Sequence, residues 1–158
     1  EARDVMLVLE NDPDQPRDLR EKALQLAARI LEFDPDVRGG QGYTLARDIL
    51  ESGRALDKMR AIIDAQGASE ISRKVGGLCN VIHAERDGNI AAIDNQQMAR
   101  IARLAGAPMD KGAGVDLYRK VGDSVAAGEP LYAIHAEFES DFAFACDAAV
   151  TTGYTLAP

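Results

Sequence analysis

The sequence contains no tryptophan, only two cysteines and two histidines, and 5% aromatic residues in a length of 158. Cys79 and Cys146 are far apart and have no close partners, which favours two reduced cysteines in a cytosolic protein over a disulfide framework. We assign neither of them a role. The N-terminus, Glu1-Ala2-Arg3-Asp4, has neither a signal-peptide pattern nor an initiator methionine. We therefore expect a cytoplasmic chain that is a piece of a longer protein.

Long apolar runs and an excess of positive charge are also missing. No apolar run approaches the roughly 20 residues that a membrane-spanning helix needs. Lys and Arg number 18 against 26 Asp and Glu, which gives a formal charge of −8. An acidic chain without a basic stripe is a poor partner for nucleic acid or for an anionic membrane surface. We expect an ordinary soluble globular protein with one medium domain or two small ones.

Residues 1–67 have the apolar spacing of helices. In the run from Leu19 to Leu31, apolar residues recur every three or four positions, and Asp34-Pro35 halts the pattern. Further helical segments are expected at Val5–Leu9, from about Thr44 to Glu51, and from about Leu56 to Gly67. We interpret Gly39-Gly40-Gln41-Gly42 as a flexible linker rather than a ligand-binding loop. Helices this short must pack together or against another part of the protein.

After Gly67 the pattern changes to short strands and glycine turns with helices among them, which indicates an α+β fold. The expected strands are Val81–Glu85, Ile90–Ile93, Val115–Tyr118 and Leu131–Ala136. One helix is expected to carry the apolar residues from Met98 to Ala105, with Asp94 or Asn95 as its cap and its end at Gly106, and a second is expected at Asp141–Val150. Gly112-Ala113-Gly114 lacks the spacing of a dinucleotide fingerprint or a P-loop, so we interpret it as a turn that leads into a strand. We predict that the chain has three parts: a helical segment at residues 1–67, a linker at 68–78 and a C-terminal domain at 79–158.

An internal repeat supplies the only residues that look like metal ligands. Ile82-His83-Ala84-Glu85 recurs as Ile134-His135-Ala136-Glu137, and two related strands in one small sheet would explain the repeat. Strand periodicity places the His and Glu of each copy on one face. Imidazole and carboxylate groups bind divalent cations, so the candidate ligands are His83, Glu85, His135 and Glu137. We favour a polar sheet face over this metal site, and an acid–base role would need a nucleophile or oxyanion donor that the sequence does not pair with them.

The run Val121–Leu131 resembles the Val-Gly-Asp-x-Val-x-x-Gly-x-x-Leu pattern of biotinyl and lipoyl carrier domains. Its glycines make turns and its alternating apolar residues fill a small flattened barrel, so we expect barrel-sandwich (biotinyl-like) character in the C-terminal domain. A carrier also needs an exposed lysine at the tip of a hairpin. Lys111 follows Met109-Asp110 but lies just beyond a predicted helix end. We therefore favour the fold of a carrier over its function.

Three stretches together resemble the type II pyrimidine-nucleoside phosphorylases, the family of thymidine phosphorylase and archaeal-type AMP phosphorylase. They are Glu51–Gly67, which resembles the family's Ser-Gly-Lys-Ala-x-x-Lys-Phe helix ending in Ala-Gln-Gly, His83–Gly88, and the long run Ala99–Gly114. With the Val-Gly-Asp run and the second His-Ala-Glu, they favour the branch of AMP phosphorylase and its bacterial thymidine-phosphorylase relatives. The resemblance covers nearly the whole chain in order.

This resemblance implies a reversible phosphorolysis, in which phosphate displaces the base of a nucleoside and thymidine yields thymine and 2-deoxyribose 1-phosphate. It further implies phosphate and nucleoside as partners, a homo-oligomer, and no cofactor. Residues 1–67 would complete the helical layer of an α/β domain, and 79–158 would form the small C-terminal domain.

The family's phosphate loop and its base-binding residues have no counterpart in this chain, so no catalytic residue is assigned. Phosphorolysis needs preorganised donors around a dianionic nucleophile. We expect the chain alone to be structural and inactive. The alternatives are an AMP phosphorylase-like parent enzyme and a stand-alone biotinyl- or lipoyl-like carrier or binding module.

Overall fold

The computed structural model describes residues 2–37, 39–67 and 74–158. The chain separates into two compact units, Glu1–Ile71 and Ser72–Pro158. Most of the predicted linker, residues 68–73, lies outside the described residues. Its last residue, Leu78, is the first residue of a strand. Within the described ranges, no helix has both the length and the apolar character to cross a membrane.

The described part of the first unit consists of helices and turns. Its helices are α1 (Ala2–Leu9), α2 (Arg17–Leu31), α3 (Gln41–Glu51) and α4 (Arg54–Gln66). The helical prediction for this segment is therefore confirmed. α2 packs against α3, and the buried core contains Val8, Leu24, Ala46 and Leu50. α4 has no fully buried residue, so the unit covers only part of its own apolar surface.

The prediction of a linker at Gly39–Gly42 is wrong for Gln41 and Gly42. α3 begins at Gln41, so Gly42 lies inside the helix, where it is buried. A Cβ at Gly42 would lie 2.4 Å from the Ala28 backbone oxygen, so this close approach of α2 and α3 requires glycine. Only Gly39 and Gly40 belong to the turn, and both have the positive φ that glycine tolerates. The spacing of the glycines alone does not distinguish a helix contact from a linker.

The second unit mixes helices with antiparallel strands, which confirms the α+β class. Its elements are β1 (Leu78–His83), β2 (Gly88–Ile93), α5 (Asn95–Leu104), β3 (Gly114–Leu117), β4 (Ser124–Val125), β5 (Pro130–Ala136), α6 (Glu139–Ala148) and β6 (Tyr154–Ala157). The strands form two small sheets with the orders β1-β5-β3 and β4-β2-β6.

The strand β5 lies at the centre of the first sheet, where its apolar residues are buried. α6 packs on β5 and β1, α5 packs on β3, and the two helices contact each other. Ile90 of the second sheet joins the same core as Ile134 of the first sheet and Ile101 of α5. This core is larger than that of the helical unit, and it positions the strands that carry the predicted site residues.

Local signals place the start of α5 correctly. The Asp94 side chain accepts hydrogen bonds from the backbone N–H groups of Gln96 and Gln97, at 2.9 and 3.1 Å. This is the N-cap arrangement that an aspartate before a helix favours. The strand β6 was not predicted. It is only four residues long, and it exists because it pairs with β2, far upstream in the chain.

Candidate functional site

The histidines of the two His-Ala-Glu copies lie on neighbouring strands of one sheet, as predicted. β1 pairs with β5 in antiparallel register, with Cys79 opposite His135 and His83 opposite Pro130. The antiparallel direction places His83 and His135 at opposite ends of the pair. At about 3.3 Å per residue along β1, the two positions are roughly 13 Å apart. The imidazoles therefore do not converge on one site.

The two glutamates of the repeat lie outside the strands. Glu85 is exposed in the loop between β1 and β2. Glu137 follows β5, and its Oε1 accepts the backbone N–H of Gly112 at 2.6 Å. Across residues 2–37, 39–67 and 74–158, no three His, Cys, Asp or Glu side chains form a group that could hold a metal ion. The candidates His83, Glu85, His135 and Glu137 are thus not assembled into a metal site.

His135 has the most enclosed environment of these four residues. Its side chain is only 12% exposed, and Nε2 lies 3.6 Å from Oδ2 of Asp116 on β3. Nδ1 is buried and has no hydrogen-bond partner among the described residues. At 3.6 Å this contact is longer than a hydrogen bond, and it would be an ion pair only with a charged imidazole. No spacing in the sequence indicates Asp116 as a neighbour, because only the pairing of β3 with β5 brings it near His135.

A pair of stacked tyrosines lies in the core of the second unit. Burial raises the pKa of Tyr132 to about 12, with a smaller contribution from Cys146. Burial also raises the pKa of Tyr154 to about 12, with smaller contributions from Tyr132 and Asp123. Both hydroxyls therefore stay protonated at neutral pH. They pack the core and do not supply a general base.

An apolar cleft of about 360 Å³ lies in the helical unit. Residues of all four helices line it, among them Leu9, Leu24, Ile49 and Ala55. Its lining contains no polar side chain. Ligand sites usually combine apolar walls with a few placed polar groups. The cleft therefore has the character of a packing surface.

Lys111, the candidate carrier lysine, lies between α5 and β3. Its Nζ donates to the backbone oxygen of Pro108 at 3.1 Å. β3 begins at Gly114, so the prediction that Gly112-Ala113-Gly114 is a turn leading into a strand is confirmed. The lysine follows a helix and is not centred between two paired strands, unlike the modified lysine of a carrier domain.

Comparison with known proteins gives a consistent result. Residues 89–155 match the family model described as the pyrimidine nucleoside phosphorylase C-terminal domain. Relatives that bear the name "Putative thymidine phosphorylase" are 60% identical over 157 residues in Methylococcus capsulatus and 59% identical over 160 residues in Albidiferax ferrireducens. A third, from Rhodopseudomonas palustris strain BisB18, is 55% identical over 157 residues.

The three alignments each cover 99% of this chain but only 30%, 31% and 31% of the respective relatives. The chain thus spans less than a third of the length of the curated relatives it matches. The matching part is their C-terminal part.

Proposed function

The chain belongs to the pyrimidine nucleoside phosphorylase family, and we propose that it is the C-terminal part of an enzyme that phosphorolyses thymidine. The reaction of this parent enzyme is thymidine plus phosphate to thymine plus 2-deoxyribose 1-phosphate. The observation that carries the proposal is the 60% identity, over 99% of this chain, with the relative from Methylococcus capsulatus that bears the name "Putative thymidine phosphorylase".

The role that we propose for this part is architectural, with the catalytic residues in the larger part of the parent enzyme. Phosphorolysis needs positively polarised donors around phosphate and stabilisation of an oxocarbenium-like sugar. The chain is acidic overall, with 26 acidic against 18 basic residues. Its two histidines lie at opposite ends of the β1–β5 pair. These observations support a chain that is inactive alone. That the parent enzyme is a cytoplasmic homo-oligomer is what the family resemblance implies, and we keep it as part of the proposal.

The helical segment 1–67 would complete the helical layer of the parent's α/β domain. Its apolar cleft supports this assignment, and so do exposed apolar residues such as Leu26 and Ile30, which are 59% and 66% exposed.

The domain 79–158 would have barrel-sandwich character. The support for this is that Val125 and Leu156 of one sheet share a core with Tyr132 of the other.

An assay of two proteins tests the proposal: the 158-residue chain, and a full-length parent from one organism. Each is incubated with phosphate and thymidine, uridine or AMP, and release of the free base is measured, with phosphate omitted as the control. We expect the parent to release thymine from thymidine and the chain to release no base. Preferential release of adenine from AMP would instead identify an AMP phosphorylase-like parent. Base release by the chain alone would contradict the architectural role.

A carrier module is the second candidate, because the run Val121–Leu131 matches the carrier pattern. The intact mass of the chain, purified from cells that contain biotin and lipoate ligases, separates the two candidates. We expect the unmodified mass. A biotinyl or lipoyl adduct that disappears in the Lys111→Arg variant would establish the carrier function.

A further inference from the structure

A row of three side chains crosses the first sheet from β1 to β3. Cys79 of β1 lies directly opposite His135 of β5, and Asp116 of β3 lies opposite Ala133, two residues before His135. Residues paired across antiparallel strands point to the same face of a sheet, with Cβ atoms roughly 4.5–5.5 Å apart. Residues two positions apart along a strand also share a face. Cys79, His135 and Asp116 therefore project from one face, and we call them the Cys79–His135–Asp116 row.

The imidazole of His135 stands between the two outer members of this row. Its Nε2 lies 3.6 Å from Oδ2 of Asp116, on the β3 side. The outward directions of the two ring nitrogens diverge widely, so an Nε2 that is turned towards β3 leaves Nδ1 turned away from β3. Nδ1 is buried and has no hydrogen-bond partner among the described residues. It is thus available as a proton acceptor on the side of β1, where Cys79 is the paired residue.

The two cysteines of the chain have different surroundings. Cys79 is exposed, whereas Cys146 of α6 is partly buried. Sγ of Cys146 accepts a hydrogen bond from Nδ2 of Asn80 at 3.5 Å. Asn80 follows Cys79 along β1, so the two residues point to opposite faces of the sheet. The two thiols consequently lie on opposite faces, and Cys79 is the one that has a histidine as its cross-strand neighbour.

We propose that Cys79 is a reactive thiol that forms mixed disulfides with small-molecule disulfides, with His135 as its base. Nδ1 of His135 accepts the proton of the thiol, because the thiolate is the nucleophile in disulfide exchange. The imidazole then carries a positive charge, and the carboxylate of Asp116 beside Nε2 stabilises it as an ion pair.

The exchange is balanced in atoms and electrons. Sγ of Cys79 attacks one sulfur of the small disulfide, so that a new S–S bond forms and the original S–S bond breaks. The small thiolate that leaves takes the proton back from Nδ1 of His135. The net products are Cys79 in a mixed disulfide and one molecule of the free small thiol.

Reaction of the whole chain with dithiodipyridine, an uncharged small disulfide, tests this proposal. The Cys146→Ser form contains Cys79 as its single cysteine, and the absorbance of the released thione follows the reaction. In that form, His135→Gln should slow the reaction at about pH 6.5 by at least about fivefold, because an unassisted thiol with a pKa of about 8.5 is almost entirely protonated there. Above about pH 9.5 the two rates should converge, since the thiolate then forms without a base.

The second histidine supplies a matched control. His83 lies at the opposite end of the β1–β5 pair, so His83→Gln should leave the rate unchanged at every pH. Asp116→Asn keeps the shape of the side chain and removes its charge, so it should slow the reaction at about pH 6.5 by a smaller factor than His135→Gln. Glu137, two residues after His135, already accepts the backbone N–H of Gly112 and is left intact in all forms.

Equal rates and equal pH profiles with and without the His135 imidazole would overturn the proposal and identify Cys79 as an ordinary exposed thiol. Circular dichroism should show that all forms keep the fold. If His135→Gln unfolds the chain, the Asp116→Asn form decides instead, and an unchanged profile in that form would equally overturn the proposal. The reaction involves no phosphorolysis, so its outcome is independent of the proposed function.

Discussion

Tyr132 and Tyr154 stack with ring centroids 5.7 Å apart and ring planes 14° from parallel. Tyr132 belongs to β5 of one sheet and Tyr154 to β6 of the other, so their contact joins the two sheets. Their hydroxyls differ in hydrogen bonding. That of Tyr154 donates to the backbone oxygen of Arg119 at 2.9 Å, whereas that of Tyr132 is buried without a partner among the described residues.

Replacement of each tyrosine by phenylalanine should therefore have different effects on stability. Tyr132→Phe removes an unsatisfied buried hydroxyl, so the free energy of unfolding should stay the same or rise by up to about 1 kcal/mol. Tyr154→Phe removes a hydrogen bond and leaves a carbonyl unpaired, which should cost about 0.5–1.5 kcal/mol. Urea unfolding of both variants measures the difference. A larger loss for Tyr132→Phe would mean that a buried water bonds its hydroxyl.

Alkaline pH should destabilise the second unit, because Tyr132 and Tyr154 lose their hydroxyl protons there. Burial holds the pKa of both Tyr132 and Tyr154 at about 12 in the folded state, above the value of about 10 in an unfolded chain. The folded state thus binds these protons more tightly. The resulting stability is fully present below pH 10 and is lost as the pH rises towards 12. Thermal unfolding between pH 8 and 11.5 should show this decline, and the double Phe variant should show less of it.

The N-cap of α5 provides a third prediction. Asp94→Ala should lower the free energy of unfolding by about 1 kcal/mol, because the backbone N–H groups of Gln96 and Gln97 lose their acceptor. Asp94→Asn is the matched control and should lose much less, since asparagine caps helices about as well. Equal losses in the two variants would show that the charge, and not the hydrogen bonds, stabilises the helix.

The contact between α2 and α3 provides a fourth prediction. Gly42→Ala should destabilise the helical unit by about 1–3 kcal/mol, because the new Cβ would lie 2.4 Å from the Ala28 oxygen and force the helices apart. Thr44→Ala, at an exposed position of the same helix, is the control and should be neutral or slightly stabilising. The helical signal at 222 nm during thermal unfolding measures both. A stabilised Gly42→Ala variant would contradict the close packing.

Patterns in consecutive residues predicted most of the elements and the family. The period of apolar residues identified α2, and the two capping candidates Asp94 and Asn95 marked the start of α5, where the structure has Asp94 as the cap. The motifs at Glu51–Gly67 and Ala99–Gly114 indicated the family whose C-terminal domain model matches residues 89–155. These features were readable because helix periodicity, capping and motif spacing all involve neighbours within a few positions.

Only the tertiary structure decided which distant residues meet. The repeat left a convergence of His83 and His135 open as the alternative to a polar sheet face, and the antiparallel pairing of β1 with β5 separates the two histidines. The same sheet brings Asp116 to His135, although no spacing in the sequence links them. Strand direction and register depend on contacts between remote parts of the chain. The sequence by itself therefore determined most of the elements and the family resemblance, whereas the packing of strands and helices determined where the side chains lie.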